Sequence, residues 1–181
     1  MNESRKTGHL LTEKINPKTT ELDRCSPLEV VELILQEDRG IVDAVEKEKD
    51  NISYAVEIVV KRIKQGGRLF FLGAGTSGRL GVLEAAECPP TFGTDPDLIL
   101  AFIAGGKGAV WQSVEGAEDS RTESRDCLAN AGLTKDDVVI GIAASASTPF
   151  VESGLEYAKS TGSGTVLVTC NPVESKMADV T

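Results

Sequence analysis

Four short apolar runs in the second half of the chain constrain its fold most strongly. They lie at residues 69–72, 98–103, 138–143 and 165–169. Each run except the last is followed by small residues and then by a helical pattern, at residues 77–88, 119–130 and 149–160. Strands that are buried on both faces have this composition in parallel sheets with helices on either side. The sequence therefore predicts an α/β fold with a doubly wound parallel sheet.

The N-terminal part of the chain predicts helices that precede the sheet. Residues 1–24 are polar and show no clear period, which predicts an extended arm. Residues 26–29 read S-P-L-E, the pattern of a capping serine with proline at the first helical position. A longer helical region is predicted over residues 41–64. We therefore divide the chain into an arm with a helix at residues 1–40 and an α/β domain at residues 41–181.

Charge and cysteine content exclude several classes of partner and site. The net charge of −9 repels nucleic acid and anionic membranes, so neither is expected as a partner. An anionic small ligand stays compatible, because backbone N–H groups bind one locally. The four cysteines are far apart, which predicts reduced thiols in a cytoplasmic protein and no zinc site. The one histidine, His9, lies in the polar arm, which argues against a Ser-His or Cys-His triad.

The turn after the first apolar run is the most informative one. Residues 73–78 read G-A-G-T-S-G and fit the dinucleotide pattern G-x-G-x-x-G. A dinucleotide site also needs an acidic residue near the end of the next strand, but residues 102–106 read F-I-A-G-G. The Thr-Ser pair suits a phosphate monoester at a helix N-terminus instead. We therefore predict phosphate binding by Gly75, Thr76, Ser77 and Gly78.

A second cluster of hydroxyl groups follows the third apolar run. Residues 145–149 read S-A-S-T-P, and two such turns at one edge of a sheet would bind a phosphosugar. The predicted contacts here are Ser145, Ser147 and Thr148. The alternative is that small polar residues simply form tight turns and helix caps. Arg79, just beyond the first turn, would either help to neutralise a phosphate or pair with a nearby acid.

Two glutamates are candidates for acid–base chemistry. Glu87 lies in the last turn of the helix predicted over residues 77–88, where its carboxylate faces the negative end of the helix dipole. Glu118 lies before or within the first turn of the next predicted helix, where the dipole favours the ionised form. An acid and a base need such opposite placements, so the hypothesis is that Glu87 is the acid and Glu118 the base. From the residues alone, two solvated surface glutamates are the preferred interpretation.

Several segments taken together resemble a known enzyme family. LTEKINPKTTELDRCSPLEVV, GGRLFFLGAGTSGRLGVLEAAECPPTFG, IAGGKGAVWQSVEGAEDS and DDVVIGIAAS are similar to segments of the N-acetylmuramic acid 6-phosphate etherases. The resemblance runs through almost the whole chain in unbroken order, and ECPPTFG followed by VEGAED is highly specific. It implies the flavodoxin-like fold of the sugar isomerase (SIS) domain for residues 41–181. Because family members continue further, it also implies that this phosphosugar-binding domain is incomplete at its C-terminus.

The resemblance also implies an activity. The family consists of cytoplasmic, homodimeric carbon–oxygen lyases of amino sugar catabolism and peptidoglycan recycling, which need no metal or other cofactor. They cleave the D-lactyl ether of N-acetylmuramic acid 6-phosphate to N-acetylglucosamine 6-phosphate and D-lactate, by C2 deprotonation, lactate elimination and water addition. The acid that assists lactate departure falls on Glu87, and the glutamate that acts at C2 falls on Glu118. The resemblance therefore reverses the preference for two surface glutamates.

One turn departs from the family pattern. Family members usually read A-A-S-G-R-T-P after the third strand, whereas residues 143–149 read A-A-S-A-S-T-P here. Loss of the glycine removes easy access to a positive φ, and loss of the arginine removes a charge-assisted contact. Phosphate binding is therefore expected to be weakened or altered. Two alternatives to the lyase stay open: a non-catalytic phosphosugar-binding or regulatory SIS protein, and an inactive remnant.

Overall fold

The computed structural model describes residues 10–173 and 175–181. Residues up to Ser53 form one compact unit, and Tyr54–Thr181 form a second. The N-terminal portion of the predicted arm, including His9, lies outside the described residues. The predicted division of the chain at residue 40 stays a prediction.

The first unit begins with short 3₁₀ turns, so an extended arm is wrong for its described part. The turns are Leu11–Glu13, Pro17–Thr19 and Leu22–Arg24. The side chain of Asn16 explains the compact path. Its oxygen accepts a hydrogen bond from the Lys18 N–H at 3.0 Å, and its amide donates to Glu37 at 2.7 Å. Local side-chain bonds of this kind compete with extended structure.

A long helix, α1 (Pro27–Lys47), starts where the capping pattern predicts. The Ser26 N–H donates to the Glu29 carboxylate at 2.7 Å, and the Ser26 hydroxyl accepts from the Glu29 N–H at 3.4 Å. A second helix, α2 (Lys49–Lys64), follows after one intervening residue. The predicted helical content of this region is confirmed, although α1 runs without interruption through residues 40 and 41.

The second unit contains the predicted doubly wound parallel sheet. Its four strands are β1 (Leu69–Gly73), β2 (Ile99–Ile103), β3 (Val138–Ile142) and β4 (Gly164–Val168), in the order β2-β1-β3-β4. All neighbouring strands pair in parallel. The chain passes from β1 to β2 on one side and then to β3 on the other side. The switch point between β1 and β3 is where such sheets bind ligands.

Helices cover both faces of the sheet: α3 (Gly75–Phe92) on one, and α4 (Glu123–Asn130) with α5 (Pro149–Thr161) on the other. Gly81 of α3 lies against Phe71, whereas Gly154 of α5 lies against Leu72. Adjacent strand residues point to opposite faces, so α3 and α5 sandwich the sheet. The core consists mainly of fully buried aliphatic and aromatic side chains, among them Phe70, Leu72, Leu128, Val139, Phe150, Val151 and Leu155.

Two predicted helix boundaries are wrong. The helix α3 continues to Phe92 with Pro89 and Pro90 inside its last turns, and it ends at Gly93, which has a φ of 66°. Proline fits the helical φ, but it lacks an N–H and its ring crowds the carbonyl four residues earlier, so it normally disfavours a helix interior. The helix continues here because α3 packs on β1 and β2 of the sheet. The helix α4 begins at Glu123, later than predicted, and a separate 3₁₀ turn occupies Ala117–Asp119. No helix in the described part of the chain is both long and apolar enough to cross a membrane.

Candidate functional site

A cavity of about 320 Å³ lies at the carboxyl ends of the strands. Three parts of the chain form its wall: the start of α3, the connection between β2 and α4, and the residue that precedes α5. The lining residues are Ala74, Gly75, Arg79, Ala104, Ala109, Ser113, Val114, Glu115, Ala117, Glu118 and Thr148. The order β2-β1-β3-β4 brings these three parts together, because the loops that follow β1 and β3 are neighbours at the switch point.

The first predicted phosphate turn forms the start of α3. Ala74 is the N-cap of this helix, and no side chain caps it through a hydrogen bond. The first N–H groups of a helix have no partner within the helix and carry its positive dipole end, so they are available to an anion. Gly75 lines the cavity, whereas Thr76, Ser77 and Gly78 continue the turn beside it. Thr76 is exposed and Ser77 is half-buried.

The second predicted phosphate turn lies between β3 and α5. The Ser147 hydroxyl donates to the Ser145 hydroxyl at 3.1 Å, and the Ser147 N–H donates to the same oxygen at 3.3 Å. Ala146 between them has a φ of 59°. Loss of the glycine therefore does not forbid a positive φ in this turn, because alanine adopts the left-handed conformation here, at a cost in backbone strain. Thr148, the N-cap of α5, lines the cavity.

Glu118 is exposed and lines the cavity from the 3₁₀ turn Ala117–Asp119. The structure therefore brings Glu118, Gly75 and Thr148 to one cavity. The prediction that Glu118 lies at or near the start of a helix agrees only in part, since three residues separate this turn from α4.

Glu87 has a different place. It does not line this cavity, and it is exposed on α3 five residues before the end of the helix, so it is not in the last turn. It follows Gly75 by 12 positions, which at the rise of an α-helix places it about 18 Å further along α3. The two glutamates therefore do not meet in this cavity within one chain.

Arg79 is a lining residue whose contacts could not be read from the sequence. Its Nε donates to the Val110 carbonyl at 2.8 Å, and its Nη2 donates to the Ala109 carbonyl at 2.8 Å. Ser113 and Glu115 also line the cavity. The sequence patterns do not single out these two residues. The one signal in the sequence that could have found them is their position in the segment that leads to Glu118. Across residues 10–173 and 175–181, His, Cys, Asp and Glu side chains form no group of three or more that could hold a metal ion.

Two solved structures named phosphoheptose isomerase share this fold. The chain matches a phosphoheptose isomerase from Francisella tularensis with a TM-score of 0.63, at 15% identity, over 86% of this chain and 79% of that one. It matches phosphoheptose isomerase GmhA from Neisseria gonorrhoeae with a TM-score of 0.61, at 16% identity, over 78% of this chain and 73% of that one. The fold, together with a family model of a SIS domain that matches residues 51–159, defines an α/β domain of the sugar isomerase (SIS) class, as predicted.

Residues 51–159 match the family model described as "Glucokinase regulatory protein N-terminal SIS domain", and the chain belongs to this family. Curated relatives named N-acetylmuramic acid 6-phosphate etherase confirm the predicted resemblance. One from Clostridioides difficile is 47% identical over 95% of this chain, and one from Escherichia coli O157:H7 is 50% identical over 90% of it. The alignments cover 57% and 55% of those relatives, so the chain spans little more than half of their length.

Proposed function

We propose that the protein is a carbon–oxygen lyase that cleaves the D-lactyl ether of N-acetylmuramic acid 6-phosphate to N-acetylglucosamine 6-phosphate and D-lactate. The observation that carries the proposal is the cavity shared by Gly75, Thr148 and Glu118, in a chain whose curated relatives are named for this activity. The proposed place of action is the cytoplasm, within amino sugar catabolism and peptidoglycan recycling.

In this proposal the first turn of α3 binds the phosphate of the substrate. The N–H groups at the start of α3, with the hydroxyls of Thr76 and Ser77, supply donors at the positive end of the helix dipole. Thr148, Ser145 and Ser147 supply hydroxyl groups from the neighbouring turn after β3. Neutral hydroxyls give weaker contacts than an arginine would, so the backbone of α3 makes the larger contribution.

The proposed chemistry begins with the carboxylate of Glu118, which takes the proton from C2. The electron pair of the C2–H bond forms a C2–C3 double bond while the bond from C3 to the lactyl oxygen breaks. Glu87 donates a proton to that oxygen, and D-lactate leaves. Water then adds across the double bond, with its hydroxyl on C3 and a proton on C2, which yields N-acetylglucosamine 6-phosphate. Two carboxyl groups in opposite protonation states divide such work between them.

Because Glu87 lies about 18 Å along α3 from the phosphate turn, we propose that it enters the site of a second copy of the chain. Leu80 and Leu83 precede Glu87 on the same face of α3, at helical spacing, and they are 50% and 54% exposed. Apolar side chains exposed side by side mark interaction surfaces. A homodimer that covers this face would carry Glu87 to the partner's cavity.

The alternative of a non-catalytic phosphosugar-binding or regulatory SIS protein is not favoured. Curated relatives at 47–50% identity over most of the chain are named etherases. The same relatives speak against an inactive remnant, because Glu87 and Glu118 both lie in segments that resemble that family.

The decisive test follows N-acetylmuramic acid 6-phosphate in D₂O by proton NMR. The proposal predicts that the native protein releases lactate and gains deuterium at C2, and that Glu118→Gln loses both signals. Glu156 is an exposed glutamate on α5, so Glu156→Gln serves as the matched control and should keep full activity. Glu87→Gln is expected to release lactate much more slowly while it still exchanges the C2 proton. Saturable binding of the sugar phosphate by the native protein without any lactate would overturn the lyase proposal in favour of the binding protein.

A further inference from the structure

Arg79 joins two of the three parts of the cavity wall, the start of α3 and the connection between β2 and α4, through its guanidinium group. It lies in the second turn of α3, and its Nε and Nη2 donate to the carbonyls of Val110 and Ala109, each at 2.8 Å. These carbonyls end the 3₁₀ helix Lys107–Val110, where the last carbonyls have no partner within the helix. The planar fork of an arginine fits two adjacent acceptors, which the single ammonium of a lysine does not.

The segment that Arg79 contacts leads directly to Glu118. Its residues 111–116 are exposed, and Trp111 at its start is 90% exposed. A segment with so little burial is ordered by a few specific contacts. The position of residues 111–116 therefore depends on which elements these few contacts join to the segment.

Other contacts tie this connection to the end of β2. The Gly105 N–H donates to the Glu123 carboxylate at 3.0 Å. Val114 and Ala117 pack on Gly105 so closely that a Cβ there would lie 3.0 and 3.2 Å from their Cβ atoms. In the described part of the chain, the hydrogen bonds between α3 and residues 105–119 are the two that Arg79 donates.

We propose that Arg79 is a positioning residue that holds the Glu118 segment in register with the first turn of α3. The inference rests on the proposed lyase function, in which that turn binds the phosphate while Glu118 takes the C2 proton of the same sugar. A displacement of about 1 Å at a reacting group lowers a rate by about 10²-fold. Two short bonds to one arginine therefore set the geometry between phosphate and base.

A direct phosphate contact by Arg79 would behave differently when the residue is replaced. A lysine keeps the positive charge and binds phosphate as a point charge, so Arg79→Lys would retain function and Arg79→Met would not. The positioning role needs the fork, so Arg79→Lys and Arg79→Met should fail alike. Arg125→Lys is the matched control, because Arg125 lies on α4 and not on α3. Its guanidinium is 6.0 Å from the ring of Tyr157 on α5.

The first measurement is independent of turnover. Trp111 is the single tryptophan of the chain and directly follows Val110, so its fluorescence anisotropy decay reports the order of this segment. Without substrate, Arg79→Lys and Arg79→Met should both show faster local motion of Trp111 than the native protein, and Arg125→Lys should not. Far-UV circular dichroism checks that each variant is folded. Unchanged Trp111 motion in both folded Arg79 variants would overturn the positioning role.

The second measurement separates kcat from KM for lactate release. Both Arg79 variants are expected to lose about 10- to 100-fold in kcat with KM unchanged, the signature of misplaced reacting groups. A native-like kcat in Arg79→Lys together with a raised KM in Arg79→Met would assign Arg79 to the phosphate and overturn the proposal. Absence of turnover in the native protein overturns the lyase function. Full turnover by both Arg79 variants, with Trp111 motion unchanged from that of the native protein, overturns the positioning role alone.

Discussion

A Cβ atom on Gly78 would lie 2.7 Å from the carbonyl oxygen of Gly73 and 2.6 Å from Cγ1 of Ile103. The first turn of α3 therefore touches the backbone of β1, and no side chain fits between them. This contact accounts for two glycines of a pattern that otherwise resembles a dinucleotide fingerprint. They are needed for close packing of helix and strand whatever ligand the turn binds.

Replacement of Gly78 by alanine should destabilise the domain. The nearest atoms include the backbone of β1, which cannot move without disturbing the sheet, so we expect a loss of about 1–3 kcal/mol in the free energy of unfolding. Urea unfolding of Gly78→Ala measures the change. Gly108→Ala is the matched control, because nothing lies within 4 Å of a Cβ at that position. Equal stabilities of the two variants would contradict the packing argument.

Asp137, only 2% exposed, should make stability depend on pH. Burial alone raises the pKa of its carboxyl, but hydrogen bonds from the Arg68 side chain and from the Thr134 and Arg68 N–H groups outweigh burial and lower the pKa. A lowered pKa means that the stabilisation is present above the pKa of the unfolded chain and is lost as the pH falls through the folded value.

The variant Asp137→Asn should therefore lose about 3 kcal/mol at neutral pH, because Arg68 keeps a charge without its partner. The difference from the native protein should shrink as the pH falls below about 4. Denaturant unfolding at several pH values tests this, with Asp97→Asn at an exposed site as the control. A difference that stays constant down to low pH would show that the charge of Asp137 does not matter.

The protein should be more stable with glycine in place of Ala146. The φ of 59° at this position costs an L-residue about 1–2 kcal/mol, part of which is offset because glycine loses more chain entropy on folding. We expect Ala146→Gly to gain about 0.5–1 kcal/mol in the free energy of unfolding. Ala144→Gly, two residues earlier and without a positive φ, should lose stability instead. Thermal unfolding of both variants gives the signs, and a loss in both would refute strain at Ala146.

If Glu87 serves the cavity of a second copy, two inactive variants should complement each other. Glu87→Gln and Glu118→Gln mixed in equal amounts and allowed to exchange subunits form mixed dimers, each with one site that has both glutamates. Statistical exchange predicts about a quarter of native lactate release. The same mixture without exchange is the control. If activity stays absent after verified exchange, both glutamates serve a site in the same copy.

Much of the architecture could be predicted because it depends on local patterns. Apolar runs marked all four strands to within one or two residues, and S-P-L-E marked the start of α1. The patterns failed where several weak signals compete. Two prolines did not stop α3, since a helix already packed on the sheet tolerates two missing N–H bonds near its end. Short polar segments before α1 formed 3₁₀ turns, one of them capped by the side chain of Asn16, and no periodicity reveals such local bonds.

The sequence by itself determined the four apolar runs that form the strands, the two hydroxyl turns and the candidate glutamates. Each of these depends on residue types that lie close together in the chain. Only the tertiary structure decided which of them meet. It placed Glu118 in the same cavity as Gly75 and Thr148, kept Glu87 far along α3, and gave Arg79 two carbonyls from 30 and 31 residues away as partners. Such contacts join residues distant in sequence, and the crossovers of the sheet that create them leave no local pattern.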